Sequence, residues 1–281
     1  MEKAFEIINL NKAYKGFALK NVSLSLPKGY IMGFVGANGA GKSTTMGCLL
    51  GMIKPDSGSI KIFDKDIKNI TAADKEKIGI VMDGCPFAEV LNIKDIRRIV
   101  SSIYRTFDKA KFDSLIGRFS LPENKPVKDF STGMRAKLNI AVALSHNAQL
   151  LVLDEATSGL DPVVRDEILD ILQDFVCDEN RSILISSHIT SDLEKICDYI
   201  AFIRNGQIVF VENKDDLKEK YALIHCTKQQ FETVDTAAVV GAKYTEYNVT
   251  ALVLKEAVKD GFVAEKPSIE DIMLYSTKEV K

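Results

Sequence analysis

Residues 36–43 read Gly36-Ala37-Asn38-Gly39-Ala40-Gly41-Lys42-Ser43, and they lie between an apolar run, Ile31–Val35, and a stretch of helical character that begins with Thr44. They match the pattern G-x-x-x-x-G-K-[ST] in the strand-to-helix setting that a phosphate-binding loop requires. In such a loop backbone N–H groups face the phosphates, the lysine reaches the β and γ oxygens, and the hydroxyl can ligate Mg²⁺. An ordinary glycine-rich turn is the alternative. The predicted phosphate-binding residues are Gly36, Asn38, Gly39, Ala40, Gly41, Lys42, Ser43 and Thr44, with Ser43 also on the metal.

The pattern on both sides of this loop indicates an α/β fold. Before it, Phe5–Leu10 and Leu19–Leu26 have the composition of short strands separated by turn residues. After it, apolar strand-like runs alternate with helical stretches, which is typical of a mostly parallel sheet with crossover helices. These runs are Ile78–Met82, Leu150–Leu153, Ile183–Ser186 and Tyr199–Ile203.

Two regions depart from that alternation. Residues 86–146 contain three successive predicted helices and form a helical insert; the helices are Ile93–Tyr104, Lys109–Phe119 and Met134–Ser145. Asn205-Gly206 predicts a hairpin that closes the sheet. A charged stretch then starts a small α+β tail, in which Ser268-x-x-Asp271 predicts a capped helix. We therefore predict one domain over residues 1–211 and an accessory domain over residues 212–281.

Two carboxylates follow the apolar run that begins at Leu150. The end of a buried strand is where an open α/β sheet binds its ligands. Asp154 can hold the Mg²⁺ shell, and Glu155 can take a proton from an attacking water. The alternative is that both residues only start a solvated loop, and the phosphate-binding loop in the same chain argues against it.

A second possible phosphate contact precedes the last helix of the insert. Ser131 has the position of an N-cap, with Gly133 two residues later. A helix start presents free N–H groups and also binds phosphate. From these residues alone, a plain N-cap is the more economical interpretation.

The composition restricts the classes of function. The chain has 281 residues, of which 46% are hydrophobic, and it can form a sizeable core. Its 37 Lys and Arg nearly balance 39 Asp and Glu, so nucleic-acid binding is not expected. The five cysteines are scattered, which argues against a disulfide framework or a zinc site and favours a reducing cytoplasm. Because no run of about 18 apolar residues occurs, any membrane role is expected to come through a partner.

Several motifs recur in a recognisable order. They are the phosphate-binding loop, Ser131-x-Gly133, Leu150–Glu155, Ser158-Gly159-Leu160-Asp161, and His188 after two serines. In this order and spacing they resemble the ATP-binding subunit of ATP-binding-cassette (ABC) transporters, over about residues 4–211. The resemblance implies a P-loop NTPase fold, with a RecA-like core, an antiparallel β arm and the helical insert. It also implies ATP and Mg²⁺ as cofactors.

The resemblance implies roles for residues outside the phosphate-binding loop. Ser131 and Gly133 of one subunit would close over the ATP held by a second subunit in a head-to-tail dimer, with Asp161 at the interface. His188 would contact the γ-phosphate, and Tyr14 would stack on adenine. The remaining histidines match nothing in the family pattern, and we interpret both as structural.

Catalysis is expected to use three of these residues. Glu155 would position and deprotonate water, while Lys42, Mg²⁺ and His188 would stabilise charge on the γ-phosphoryl group. All three residues are present in this sequence. We therefore expect Mg-ATP hydrolysis rather than nucleotide binding alone.

The sequence also departs from the family pattern. Asp83 stands where most members have glutamine, in a loop that senses the γ-phosphate and the membrane partner; it can approach ATP or Mg²⁺ through water. Thr132 and Met134 replace a glycine and a glutamine of the signature, and Ala156 replaces a common proline. Together with the tail, these changes resemble cassettes of small bacterial exporters for drugs or antimicrobial peptides.

The expected function is that of an ATP-hydrolysing ABC subunit that powers a separate membrane permease, as an exporter. It would be cytoplasmic, peripheral on the inner face of the cell membrane, and dimeric. One alternative is a non-transport ABC ATPase, although such proteins usually carry two cassettes, a long coiled coil or a basic surface. Another is a weakly hydrolysing regulatory module that closes on nucleotide.

Overall fold

The computed structural model describes residues 2–82, 84–259 and 261–277, and the chain divides into two compact units. The first contains residues 1–197 and 201–211, and the second contains residues 198–200 and 212–281. The strands of the first part of the chain are β1 (Lys3–Tyr14), β2 (Phe17–Pro27), β3 (Ile31–Val35), β4 (Ser57–Ile62), β5 (Lys65–Asp66), β6 (Ile78–Val81), β7 (Leu150–Asp154), β8 (Ser182–Ser186), β9 (Tyr199–Arg204) and β10 (Gln207–Asn213). Its helices are α1 (Lys42–Leu49), α2 (Ala72–Lys75), α3 (Ile93–Ile103), α4 (Lys109–Arg118), α5 (Thr132–Leu144), α6 (Pro162–Phe175) and α7 (Thr190–Ile196).

A six-stranded sheet with the order β10-β9-β3-β8-β7-β6 forms the centre of the first unit. The contacts β3–β8, β8–β7 and β7–β6 are all parallel. Every residue of β3, β7 and β8 is buried, which is expected of parallel strands covered on both faces. Because their carboxyl ends meet at one edge, the loops after these three strands can share a ligand.

A separate antiparallel sheet with the order β2-β1-β4-β5 forms the β arm. β1 and β2 are joined by a tight turn, and β4 returns along the other edge of β1. β3 was adjacent to these strands in the sequence but belongs to the parallel sheet instead. The α/β fold with an antiparallel arm is thus confirmed.

The stretch from residue 86 to residue 146 is fully described and contains α3, α4 and α5 without a strand. Asn92 and Asp108 begin α3 and α4 as N-caps, since their side chains accept backbone N–H groups in the first turn. The observed bounds of the three helices lie within two residues of those predicted from the sequence. The local sequence therefore determines the helical character of this stretch.

The second unit is an α+β structure around a four-stranded antiparallel sheet with the order β12-β13-β11-β14. Its core consists of small and branched side chains such as Ile224, Val249 and Val253. Ser268 and Asp271 form the predicted capping box at its last helix. Its elements are α8 (Lys214–Lys220), β11 (Tyr221–Thr227), α9 (Lys228–Phe231), β12 (Val239–Tyr244), β13 (Asn248–Leu254), β14 (Val263–Glu265) and α10 (Ile269–Tyr275). Among the described residues of the whole chain, no helix has the length and apolar character needed to span a membrane.

Candidate functional site

The phosphate-binding loop connects β3 to α1, as the sequence predicts. Gly41 directly precedes α1 with φ +114°, and a Cβ on it would lie 2.5 Å from Leu19 Cδ2. The Thr45 hydroxyl donates to the Gly41 carbonyl at 2.8 Å and fixes the loop to the first turn of the helix. Glycine is favoured at position 41 because this backbone conformation strains any other residue, and a Cβ would in addition force the Leu19 side chain to shift.

Lys42 lies almost fully buried beneath this loop. Its Nζ donates to the Gly36 carbonyl at 2.7 Å and lies 3.8 Å from Glu155 Oε1. Above it is a cleft of about 450 Å³, a size suited to a small-molecule ligand. The lining residues are Gly16, Phe17, Ala37, Asn38, Gly39, Gly41, Lys42, Ser43, Thr44 and Glu155.

The two carboxylates at the end of β7 have different environments. Asp154 is buried, and Glu155 is partly exposed with a left-handed backbone at φ +52°. That conformation is uncommon for a residue with a side chain and is often found at functional sites. Here it turns the chain sharply after the strand, so that adjacent carboxylates occupy different surroundings.

Ser186 contacts the carboxylate of Asp154 and the backbone of Glu155, and sequence reasoning missed this role. The parallel register pairs Asp154 with Ser186 across β7 and β8. The Ser186 hydroxyl donates to Asp154 Oδ1 at 2.5 Å and accepts the Glu155 backbone N–H at 3.0 Å. The only local signal was its position at a strand end, two residues before His188.

Lys42, Glu155 and His188, which we call the Glu155 cluster, are brought together from the ends of three strands. His188 Nδ1 lies 2.6 Å from Glu155 Oε2, and the imidazole is exposed. The other oxygen of Glu155 faces the Lys42 ammonium. The carboxylate is thus held between two nitrogen groups at the mouth of the cleft.

Ser131, Gly133 and Asp161, which we call the signature end, lie at the N-termini of α5 and α6. The Ser131 hydroxyl accepts the Met134 N–H at 3.2 Å. Asp161 Oδ1 accepts the N–H groups of Val163 and Val164 at 3.1 and 3.0 Å. Both side chains are exposed N-caps, and these hydrogen bonds remain within their own helix starts.

The aromatic group expected at adenine occupies the end of β1. Tyr14 is exposed, and the Lys12 ammonium lies 5.5 Å from its ring centroid. Among the described residues, Phe17 rather than Tyr14 lines the cleft. Asp83 lies outside the described residues.

The remaining histidines lie elsewhere. His146 is buried and stacks on Tyr104 with ring centroids 4.1 Å apart. Burial lowers the pKa of His146 below its ordinary value, although carbonyl contacts to Ile78 and Val142 oppose that shift. His225 is exposed on β11 beside Thr250 and Glu265.

The donor set suits a small divalent cation. Ser43 is exposed at the cleft, and Asp154 uses one carboxylate oxygen for the Ser186 bond, so its other oxygen can face a cation or a bound water. A hydroxyl and a carboxylate beside phosphates are the oxygen ligands that Mg²⁺ takes in nucleotide sites. These residues therefore fit Mg²⁺.

Comparison with known proteins agrees with this geometry. The family profile described as ABC transporter matches residues 19–158. The ABC transporter ATP-binding protein YtrB of Bacillus subtilis is 34% identical over 78% of this chain and 75% of its own length. The lantibiotic transport ATP-binding protein SrtF of Streptococcus pyogenes is 37% identical over 75% of this chain and 91% of its own. The bacitracin transport ATP-binding protein BcrA of Bacillus licheniformis is 33% identical over 78% and 73%.

Solved structures share the fold. An ATP-binding subunit of an ABC transporter superimposes with a TM-score of 0.70 at 24% identity, covering 82% of this chain and 93% of that one. The cassette MJ0796, solved as a dimer in a post-hydrolysis state with ADP and Pi, gives 0.67 at 20% identity over 74% and 98%. The fold, the phosphate-binding loop and these relatives lead to one conclusion: the chain belongs to the ABC transporter family, as an ATP-binding and ATP-hydrolysing subunit.

Proposed function

We propose that the Glu155 cluster is the hydrolytic centre of an ABC exporter cassette. The observation that carries this proposal is the position of the Glu155 carboxylate between Lys42 and His188, at the mouth of the cleft formed by the phosphate-binding loop. A general base must lie within reach of the water it deprotonates, and this carboxylate is the acidic group lining that cleft. Residues 36–44 bind the phosphates, and Tyr14 contributes to the adenine site.

His188 serves two neighbours in this mechanism. Its Nδ1 is engaged with Glu155, so Nε2 is the ring nitrogen that can face a γ-phosphate. In the imidazolium form both nitrogens donate, one to the carboxylate and one to the phosphate. The positively charged Lys42 acts from the other side of the same carboxylate. This arrangement stabilises charge on the transferred group and keeps Glu155 oriented towards water.

Mg²⁺ would be held by Ser43 and Asp154, with Asp83 as a further, water-mediated contact proposed from the sequence. When bound, the ion neutralises charge on the β- and γ-phosphates. Ser186 orients Asp154 for this role through its hydroxyl.

The signature end is proposed to act on a second subunit. Ser131 and Gly133 would contact the ATP held by the partner's phosphate-binding loop, and Asp161 would lie at that interface. The exposure of Ser131 and Asp161 supports this, and so does the dimeric form in which the related cassette MJ0796 was solved. A complete site would thus need two chains, identical or related.

The proposed cargo class is a drug or an antimicrobial peptide. SrtF and BcrA are named for the transport of a lantibiotic and of bacitracin. We extend that role to this chain, acting with a separate membrane permease while peripheral on the cytoplasmic face of the membrane. These names also favour a transport subunit over a non-transport ATPase.

The domain limits follow from the same proposal. Residues 1–211 carry every group assigned to nucleotide chemistry, with a helical subdomain at about 86–146. Residues 212–281 form an accessory domain with a modulatory role.

Replacement of Glu155 by glutamine tests the hydrolytic assignment. Glu155→Gln keeps the shape but removes the base, so we expect turnover to fall by about 10²–10⁴-fold, or roughly 3–5 kcal/mol of barrier. The variant should still bind ATP, and with excess Mg-ATP it should accumulate as a dimer, which light scattering measures.

A matched control exists in the second unit, where Glu265 also contacts a histidine, His225. Glu265→Gln should hydrolyse ATP at the wild-type rate. If Glu155→Gln turns over as fast as this control, another residue is the base.

Export is tested separately in cells that lack the chain. Wild-type protein should restore growth in the presence of a membrane-active cyclic peptide or a lantibiotic, and Glu155→Gln should not. Equal growth with both forms would remove the exporter assignment while leaving ATP hydrolysis untouched.

A further inference from the structure

A polar cluster of two buried side chains and one partly exposed arginine joins α6 to α7, and the mechanism above does not use it. Asp192 on α7 is 3% exposed, and its Oδ2 lies 3.8 Å from Arg165 Nε on α6. Thr157 is fully buried and its hydroxyl adjoins the same carboxyl. We call these three residues the Asp192 cluster. Among the described residues, Thr157 Oγ1, Arg165 Nε and Asp192 Oδ2 find no partner with hydrogen-bond geometry.

Such a cluster is costly for the fold. Burial raises the pKa of Asp192 above its ordinary value, while Thr157, Arg165, His188 and Lys195 oppose the rise. A buried charge at 3.8 Å from its counter-ion, without a closing hydrogen bond, stabilises less than well-packed apolar side chains of the same volume. Stability alone therefore does not account for these residue types.

The cluster adjoins three of the segments that the proposed site uses, namely those of Glu155, Asp161 and His188. Thr157 follows Glu155 by two residues, and Asp192 follows His188 by four. Arg165 follows Asp161 by four residues, and its Nη2 donates to the Leu160 carbonyl at 3.2 Å. One guanidinium thus contacts the backbone immediately before Asp161 and faces the helix that begins beside His188.

We infer that Asp192 and Arg165 are positioning residues that hold the Asp161 segment in register with His188. When one subunit binds ATP, this alignment allows its Asp161 segment to close against the second subunit. The inference rests on the proposed function, because it assumes that Asp161 meets a second subunit. Neither residue touches the nucleotide cleft. Their loss should therefore affect closure and turnover rather than nucleotide binding by the single subunit.

The test compares Asp192→Asn with a control between the same two helices. Lys195 on α7 pairs with Asp166 and Asp170 on α6 at the exposed surface. Asp166→Asn combined with Asp170→Asn removes those ion pairs and leaves the Asp192 cluster intact. Each variant is made in the wild type and in the Glu155→Gln background.

We expect Asp192→Asn to keep the affinity of the single subunit for ATP within about twofold, while dimerisation of the Glu155→Gln form weakens by about tenfold or more. The kcat should fall with little change in KM, and the melting temperature should be no lower than that of the control. Arg165→Met gives the same test should Asp192→Asn fold poorly. The variant that combines Asp192→Asn with Arg165→Met should dimerise no more weakly than the more impaired of the two single variants, as expected of a pair that acts as a unit.

Three outcomes decide the matter. If Glu155→Gln dimerises with ATP and the added Asp192→Asn change weakens this by about tenfold or more at an unchanged melting temperature, the inference stands. If both dimerise equally, or if closure falls only in step with melting temperature, the cluster is structural and the proposed function survives. If Glu155→Gln does not dimerise, the proposed function fails, and the inference fails with it.

Discussion

The Glu155 cluster and the signature end differ in how completely one chain assembles them. In the first, side chains from three loops contact one another across the sheet edge. In the second, Ser131 and Asp161 cap only the helices they begin. The hydrolytic groups are thus preorganised within one subunit, whereas the closing groups remain exposed for a partner. Preorganised groups need no rearrangement at the moment of reaction, and this is where electrostatic catalysis is most effective.

A pair of glycines extends this comparison. A Cβ on Gly41 would overlap Leu19 Cδ2 at 2.5 Å, but a Cβ on Gly133 would meet nothing nearer than 3.9 Å. Gly41 is therefore favoured by its own chain. Gly133 is not, so any requirement for glycine there comes from what binds to it.

Among variants that compare the two regions, the largest effect on folding and ATP affinity is expected from Gly41→Ala. The clash and the left-handed backbone together should cost about 1–3 kcal/mol of folding free energy and distort the loop, so that ATP affinity falls by at least about tenfold. Isothermal titration with ATP and urea unfolding measure the two effects.

Gly133→Ala is the matched variant at the signature end. The unfolding free energy should stay equal or rise by up to about 1 kcal/mol, because alanine favours a helix over glycine. ATP affinity should be unchanged, while ATP-dependent dimerisation in the Glu155→Gln background weakens. Unimpaired dimerisation would mean that no second subunit packs closely on this glycine.

A smaller effect is expected at Asp161. Asp161→Ala removes the cap of α6 and should lower the unfolding free energy by about 1 kcal/mol, whereas Asp161→Asn keeps the cap and should cost almost nothing. If Asp161 also serves the dimer interface through its charge, Asp161→Asn should still slow turnover. Urea unfolding and steady-state ATPase assays separate the two roles.

Asp108 supplies the control for that prediction, because it caps α4 by the same kind of bond to Lys111 N–H. Asp108→Ala should lose similar stability without a specific loss of turnover per folded molecule. If Asp161→Asn turns over ATP at the wild-type rate, Asp161 acts only as a helix cap.

The smallest effect concerns His146, at the far end of α5 from the signature end. Its pKa is lowered in the folded state, chiefly by burial, so the unfolded chain takes up a proton first as pH falls below about 6.5. The free energy of unfolding should then decrease with falling pH until the lowered pKa is passed, with a slope of at most about 1.4 kcal/mol per pH unit from this group. Chemical denaturation between about pH 7.5 and about pH 5 measures it.

His146→Phe retains the aromatic contact with Tyr104 but cannot titrate. Its unfolding curve should depend less steeply on pH than that of the wild type. Parallel curves for the two proteins would mean that other groups cause the acid sensitivity. In either case, ATP affinity at pH 7.5 should not differ, since His146 does not line the cleft.

Sequence patterns predicted the strands of the central sheet and the helices of the insert, but not β4, β5 or α2. The strand predicted at Ile31–Val35 has the same bounds in the structure, and the hairpin at Asn205-Gly206 joins β9 to β10. Both follow from local chemistry, namely a continuous apolar run and two residues that accept positive φ. The sheet of the second unit was not predicted strand by strand, because none of β11 to β14 is a continuous buried run like β3 or β7, and its turns carry no strong signal. The charged run Lys214–Lys220 forms α8, although only a charged connection was expected there.

What the sequence determined by itself was the phosphate-binding loop, the paired carboxylates after a buried strand, the family and the fold class. These depend on residue types at fixed spacing, which short-range geometry translates directly into structure. Only the tertiary structure decided which distant groups meet. The parallel register of β7 and β8 brings Ser186 to Asp154, and the packing of α6 against α7 brings Arg165 to Asp192. Such contacts depend on how whole elements align across the core, and no spacing along the chain encodes that alignment locally.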